Sequence, residues 1–224
     1  MMVSCTDKWD EHYEVLAEGE SNASPLNLLD YLKSQPRYSK FVEVLEQTNV
    51  ADELTRDQFL TVWAVDNEAM EEMSSLGLAD TFLIKYHLNN LSFSENKLKD
   101  GYRLRTLNGK YIPVTNTGSG SISVANAYIV QGNQFCKNGV VHEISELMVP
   151  VQSISEFLDE LTDDFSIIRD SIFALNDTLF DPVNNIPIGV DKTGNTLYDS
   201  VFIIENPLFE TADITSEFSQ VTLF

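Results

Sequence analysis

Basic residues are scarce in this chain: 14 Lys and Arg stand against 35 Asp and Glu, a formal net charge of −21 over 224 residues. Phosphate backbones are held by clustered cations, so this balance argues against nucleic acid as a partner. It argues equally against a polybasic hold on anionic lipid. No apolar run approaches the roughly 18 residues that cross a bilayer. Cysteine is nearly absent. Cys5 and Cys136 are too few for a disulfide framework, and Cys136 reads as a small core hydrophobe. There is no Gly-x-Ser-x-Gly elbow, because Gly118-Ser-Gly-Ser has the wrong spacing, and no glycine-rich phosphate loop. What is present is 43% apolar and 10% aromatic residues, enough for one large or two small cores. The charge is uneven. Residues 1–150 balance to −9 and residues 151–224 to −12, which suggests a boundary near Pro150.

The start of the chain, Met1-Met-Val-Ser-Cys5 followed by Asp7, Asp10 and Glu11, resembles the lipobox end of a bacterial lipoprotein with an acidic surface-export signal. That resemblance implies acylation of Cys5. Only four residues precede Cys5, so the charged and apolar parts of a signal peptide are absent from this sequence. Residues 6–24 are polar, and residues 1–24 read as a lipoprotein-like tether.

From Pro25 the pattern is helical. Leu26, Leu28, Leu29 and Leu32 recur at helical spacing, and Ser24-Pro25 reads as a cap with proline at the first helical position. Phe41, Val42, Val44 and Leu45 repeat the pattern after Ser39. Phe59 to Val65 is β-branched and aromatic, a buried strand. Asn67 to Met73 reads as a helical turn or two, and Ala79 to Leu88 as a helix. Beyond residue 90 the chain is β-rich. Tyr102–Leu107 and Tyr111–Val114 face each other across Asn108-Gly109, a hairpin signal. Ile122, Val124, Tyr128 and Val130 alternate, and a last strand runs from Val140 to Leu147. Helices first and strands later predict a segregated α+β fold.

These blocks resemble fasciclin domains. Thr61-Val-Trp-Ala-Val65 with Asn67-Glu-Ala69 is similar to the family's first block, and Tyr86-His87 to its tyrosine–histidine motif. Gly101 to Lys110 is similar to its central hairpin, and Ile122–Val130 with Asn138–Ile144 to its closing block. Five matches in order over roughly 125 residues are specific where one would be weak. The proline usual after the first block is replaced by Val65-Asp66. The resemblance implies an α+β wedge flanked by helices over residues 25–150, and a non-enzymatic surface module of adhesion or protein interaction without a cofactor. The family-motif residues that could serve interaction are Tyr86, His87, Asn138, Gly139 and His142. Residues 151–224 echo the opening of the same pattern. Ile154–Leu161 is like Leu26–Leu32, Phe165–Arg169 like Tyr38–Val42, and Val221–Phe224 like Leu60–Trp63, with a strand over Tyr198–Ile204 between the last two. They resemble the incomplete N-terminal part of a second copy.

His87 reads as part of a binding surface or as a helix-end histidine bonded to its neighbouring loop. His142 and Glu143 point to opposite sheet faces and form no dyad. His12, His87 and His142 match no zinc spacing. Asp177, Asp181, Asp191 and Asp199 lack a calcium-loop rhythm. Asp163-Asp164 imitates a glycosidase pair only if it faces a cleft. The expected partners are a protein or a glycan at a cell surface, with membrane attachment only through Cys5, in the outer membrane of a Gram-negative bacterium. An accessory glycan-binding lipoprotein of a nutrient-uptake system is the alternative, with Trp9, Tyr102, Tyr111 and Tyr198 as stacking aromatics.

Overall fold

The computed structural model describes residues 23–56, 58–118, 120–161, 165–181, 186–190, 192–199 and 202–219. Helix α1 spans Leu28–Ser34 and buries Leu28, Leu29 and Leu32. Its cap is Asn27, whose side-chain oxygen accepts from the Asp30 N–H at 2.8 Å. The sequence places the cap three residues earlier. Ser24 is instead drawn into an extended segment, its N–H donating to the Phe135 carbonyl at 2.8 Å. A single 3-10 turn, Pro36–Tyr38, leads into α2, Ser39–Gln47, which buries Phe41, Val42 and Leu45. Asn67 fastens this junction. Its Oδ1 accepts from the Lys40 N–H at 2.9 Å and its Nδ2 donates to the Pro36 carbonyl at 3.1 Å.

Strand β1, Leu60–Ala64, is buried at every position. Both of its faces are covered, so it shows no polar alternation. The corner after it has no proline. Asp66 Oδ1 takes the N–H groups of Glu68 and Ala69 at 3.0 and 2.9 Å, and the chain turns into the 3-10 segment Ala69–Ser75. Helix α3 covers Asp80–Tyr86 and is shorter than its sequence pattern, because Leu88–Asn89 becomes strand β2.

The remaining strands of this unit are β3 (Arg103–Arg105), β4 (Tyr111–Asn116), β5 (Ile122–Val124), β6 (Ala127–Cys136) and β7 (Gly139–Ile144). They build a seven-stranded sheet ordered β2-β1-β7-β6-β5-β4-β3, with β1 and β7 parallel and the other pairs antiparallel. The turn between β3 and β4 differs from a two-residue hairpin. Thr106 N–H bonds the Lys110 carbonyl at 2.9 Å and only Gly109 has positive φ, at 91°. This is a three-residue loop closed by a glycine bulge.

The two ends of the sheet meet. Asn89 bridges Thr106, the Leu107 N–H donates to the Leu88 carbonyl at 2.8 Å, and Asn89 Nδ2 donates to the Arg105 carbonyl at 2.6 Å. Asn89 Oδ1 meanwhile accepts from Trp63 Nε1 at 2.6 Å. The sheet is thus a nearly closed wedge, and closure hides edges that would otherwise invite strand pairing. This is the helix-flanked α+β wedge that the resemblance implied.

Two compact units divide between Pro150 and Val151. In the second, α4 (Ile154–Glu160) opens with a reciprocal capping box between Ser153 and Glu156, and α5 covers Ser166–Phe173. Among the described residues its buried apolar cluster is Leu158, Ile172 and Ile214. Strand β8 (Asp177–Phe180) pairs with β11 (Phe202–Glu205), and β9 (Ile186–Val190) with β10 (Thr196–Asp199). The single strand expected over Tyr198–Ile204 is therefore two strands with different partners. Helix α6, Pro207–Ala212, follows, capped by Asn206. Val221–Phe224 lies outside the described residues.

Candidate functional site

His87 closes α3 and is fully buried. Its Nδ1–H donates to the Leu83 carbonyl at 3.0 Å, one turn back. Its Nε2 accepts from the Met148 N–H at 3.0 Å. Both ring nitrogens are used, which fixes the neutral tautomer. Burial depresses the pKa to about 4, against the opposing pull of the Leu83 bond. Tyr86 is buried beside it, ring edge to ring face, and its hydroxyl donates to the Tyr111 carbonyl at 3.1 Å. The Tyr86-His87 pair joins α3 to the hairpin and to the segment leaving β7. It is an internal lock, and neither ring reaches solvent.

The closing block has the same character. Asn138 Oδ1 accepts from the Leu28 N–H at 2.8 Å, and its Nδ2 donates to the carbonyls of Leu54 and Arg56 at 2.8 and 3.3 Å. One side chain thus ties α1 and the 3-10 segment Ala51–Thr55 to the start of β7. Gly139 follows at φ 153°, and a Cβ built there would lie 2.1 Å from the Leu60 carbonyl oxygen. Glycine is needed because the backbones of β1 and β7 pass too close for a side chain. His142 stacks on Trp63, with centroids 4.9 Å apart and 24° between planes. Its Nε2–H donates to the Phe93 carbonyl at 2.7 Å and its Nδ1 accepts from the Asn133 N–H at 3.3 Å. Burial again lowers the pKa to about 4.

Glu143 lies on the opposite face of β7, as strand alternation requires. It takes an ion pair from Arg37 at 2.7 Å and a hydrogen bond from the Tyr38 hydroxyl at 3.2 Å. Burial is the main reason the Tyr38 phenol titrates well above its ordinary value. Burial also pushes the Cys136 thiol up to about 12, so it is a poor nucleophile.

The structure thus engages Tyr86, His87, Asn138 and His142 in separate internal hydrogen-bond sets; Tyr86, His87, Gly139 and His142 are buried, while Asn138 is half-buried and lines a surface cleft. Asn89, the most connected side chain of the seam, escaped the sequence reading; an asparagine just after a helix carries no period that marks it. With both nitrogens of His87 and His142 engaged, neither is free to hold a metal. Among the described residues no group of three or more His, Cys, Asp or Glu is placed to do so. Asp181 is buried, Asp177 is exposed, and Cys5, Trp9, His12, Asp163, Asp164 and Asp191 lie outside the described residues.

What the wedge shows to solvent is different. Tyr128 and Val130 are both well exposed on alternate positions of β6. Their alternation is as the sequence suggests, yet the inward residues of that strand are Ala127 and Ile129. Residues 85–110 carry six Lys and Arg against two acids, a basic stretch in an acidic chain. Within it Arg103 and Arg105 are exposed on β3. Tyr102 and Tyr111 are partly exposed but do not share a plane. The Val114 N–H donates to the Tyr102 carbonyl and Arg105 pairs with Tyr111, so alternation puts the two tyrosines on opposite faces of the hairpin. A shallow cleft of about 390 Å³ lies between Pro25–Asn27, Arg56, Phe59 and Lys137. No reactive pair lines it.

The class defined by this fold is a helix-flanked β-wedge domain whose buried polar residues serve its closure. The fasciclin domain profile matches residues 36–150, and the chain belongs to the fasciclin domain family. It is 27% identical over 145 residues to transforming growth factor-beta-induced protein ig-h3 of Sus scrofa, covering 61% of this chain and 21% of that protein. It is 29% identical over 134 residues to human periostin, covering 55% and 16%. The chain thus spans about a fifth of the length of the first of these relatives. Among solved structures, a FAS1 domain pair from the insect cell adhesion molecule fasciclin I aligns at TM-score 0.44 and 19% identity, over 64% of this chain and 59% of that one.

Proposed function

We propose that this chain is a non-enzymatic module of adhesion or protein interaction displayed at a cell surface. Family membership supports this reading, and one observation carries it. The wedge's histidines, its cysteine and its buried carboxylate are engaged or suppressed inside the fold, while the outward face of β6 offers the apolar pair Tyr128 and Val130. Exposed apolar side chains that nothing covers are the raw material of protein interfaces. The described residues contain no helix long and apolar enough to cross a membrane. We assign attachment to acyl chains on Cys5, in the outer membrane of a Gram-negative cell. Residues 151–224 are read as the incomplete N-terminal part of a second fasciclin-like domain, with α4 and α5 as counterparts of α1 and α2.

The test is binding of the purified chain, displayed on beads, to an array of extracellular matrix proteins and glycans. Tyr128→Ser/Val130→Ser is expected to keep the wild-type melting temperature and to lose the protein signals. Unchanged binding by that variant would overturn the assignment of the face. A signal confined to glycans and lost in Tyr111→Ala would favour the accessory glycan-binding alternative. The lipid assignment predicts palmitate labelling that disappears in Cys5→Ala; labelling that persists would refute it.

A further inference from the structure

The second unit carries an exposed two-stranded β-ribbon, and we propose that its β11 edge accepts an extended protein segment whose residues alternate between apolar and basic. Strand register fixes the two faces of the ribbon. Phe180 lies opposite Phe202 and Thr178 opposite Ile204, which makes one face apolar and uncharged. Leu179 lies opposite Ile203 and Asp177 opposite Glu205, so the other face carries apolar and acidic pairs. Such surfaces are normally turned inward. Here Phe202, Ile203 and Ile204 are 56%, 40% and 63% exposed, against 37% and 44% for Leu179 and Phe180. The β11 side is therefore the more open of the two.

Exposed edges are usually guarded by lysine, proline or a bulge. Phe202-Ile-Ile-Glu205 contains no lysine and no proline, and its register with β8 is regular. Among the described residues no third strand pairs with it. A strand added at this edge would continue both faces. Its side chains beside Phe202 and Ile204 would have to be apolar. Those on the other face would meet Ile203 and Glu205, where Lys or Arg is favoured. The surroundings agree. Residues 177–205 hold five acids and one lysine, and the unit as a whole balances to −12. The same charge repels a second copy of this chain and an anionic lipid surface. The inference goes beyond the wedge's role, since it concerns another unit and another set of residues.

Three peptides test it on the full chain at physiological salt: Val-Lys repeated four times, Val-Glu repeated four times, and a block isomer of four valines followed by four lysines. The alternating Val-Lys peptide is expected to bind at least ~10-fold more tightly than its block isomer, because only alternation fits a pleated edge. Bound peptide should slow deuterium exchange at residues 202–205 of the unmodified protein, a readout that needs no variant to fold. Phe202→Ser/Ile204→Ser and, separately, Glu205→Lys should each weaken binding by ~10-fold or more. Equal affinity for the two lysine peptides would reduce the effect to net charge and overturn the proposal. So would protection elsewhere, concentration-dependent self-association lost in Phe202→Ser/Ile204→Ser, or partition into phosphatidylcholine vesicles lost in that variant. Failure here leaves the reading of Tyr128 and Val130 untouched, because their variant probes the wedge alone.

Discussion

Gly139 illustrates how little freedom single residues of this wedge have. A methyl group at that position would meet the Leu60 carbonyl oxygen at 2.1 Å and Leu28 Cδ1 at 2.9 Å. Gly139→Ala must push β1 from β7, and a loss of about 3 kcal/mol or more is expected, read as a lowered urea midpoint. The histidines give a second residue-scale prediction. His87 and His142 have folded pKa values near 4 against an unfolded value near 6.5. The unfolded chain therefore binds more protons between those limits. Stability is full above about pH 6.5 and falls as pH drops toward 4, by up to about 3 kcal/mol for each ring. Urea unfolding from pH 7 to pH 4 should show this slope, and His87→Gln should flatten part of it. Motif positions such as Asn138, Gly139 and His142 were legible in the sequence as a block. Their roles were not, because a hydrogen bond between residues 110 positions apart, as from Leu28 to Asn138, leaves no local pattern.

At the scale of elements, the decisive feature is the seam between β2 and β3. Asn89 satisfies Trp63 Nε1 with its oxygen and the Arg105 carbonyl with its nitrogen, and it is fully buried. Asn89→Ala would leave the indole N–H and that carbonyl without partners. A cost of about 2–4 kcal/mol is expected, with faster deuterium exchange confined to Leu88–Asn89 and Arg103–Leu107 and a shift in Trp63 fluorescence. The periodicity of residues 39–47, 60–64 and 111–114 pointed to the right elements, because an amphipathic helix and an all-apolar strand are local facts. The cap of α1 lies at Asn27 rather than at Ser24, and Tyr198–Ile204 holds parts of two strands rather than one. In each case distant partners decided: Phe135 for Ser24, and separate strands β9 and β8 for the two halves.

At the scale of the molecule, the two units are unequally equipped. The wedge buries a core that runs from Leu28 to Met148, whereas among its described residues the second unit's cluster holds three buried residues and Phe157, Phe165 and Ile167 are exposed. Calorimetry of the full chain should resolve two transitions, the cooler belonging to residues 151–224, and deuterium exchange near that temperature should be fast there and slow in the wedge. One sharp transition would show that the units unfold together. The sequence by itself determined the family, the main helices and strands of the wedge, the change of character near Pro150 and the poverty of positive charge, since each of these is written in neighbouring residues or in simple sums over them. Only tertiary structure decided that the tyrosine–histidine motif faces inward, that Asn89 closes the sheet, and that Tyr128, Val130 and the Phe202–Glu205 edge face water. Burial depends on what the rest of the chain places over a side chain, and no local pattern records it.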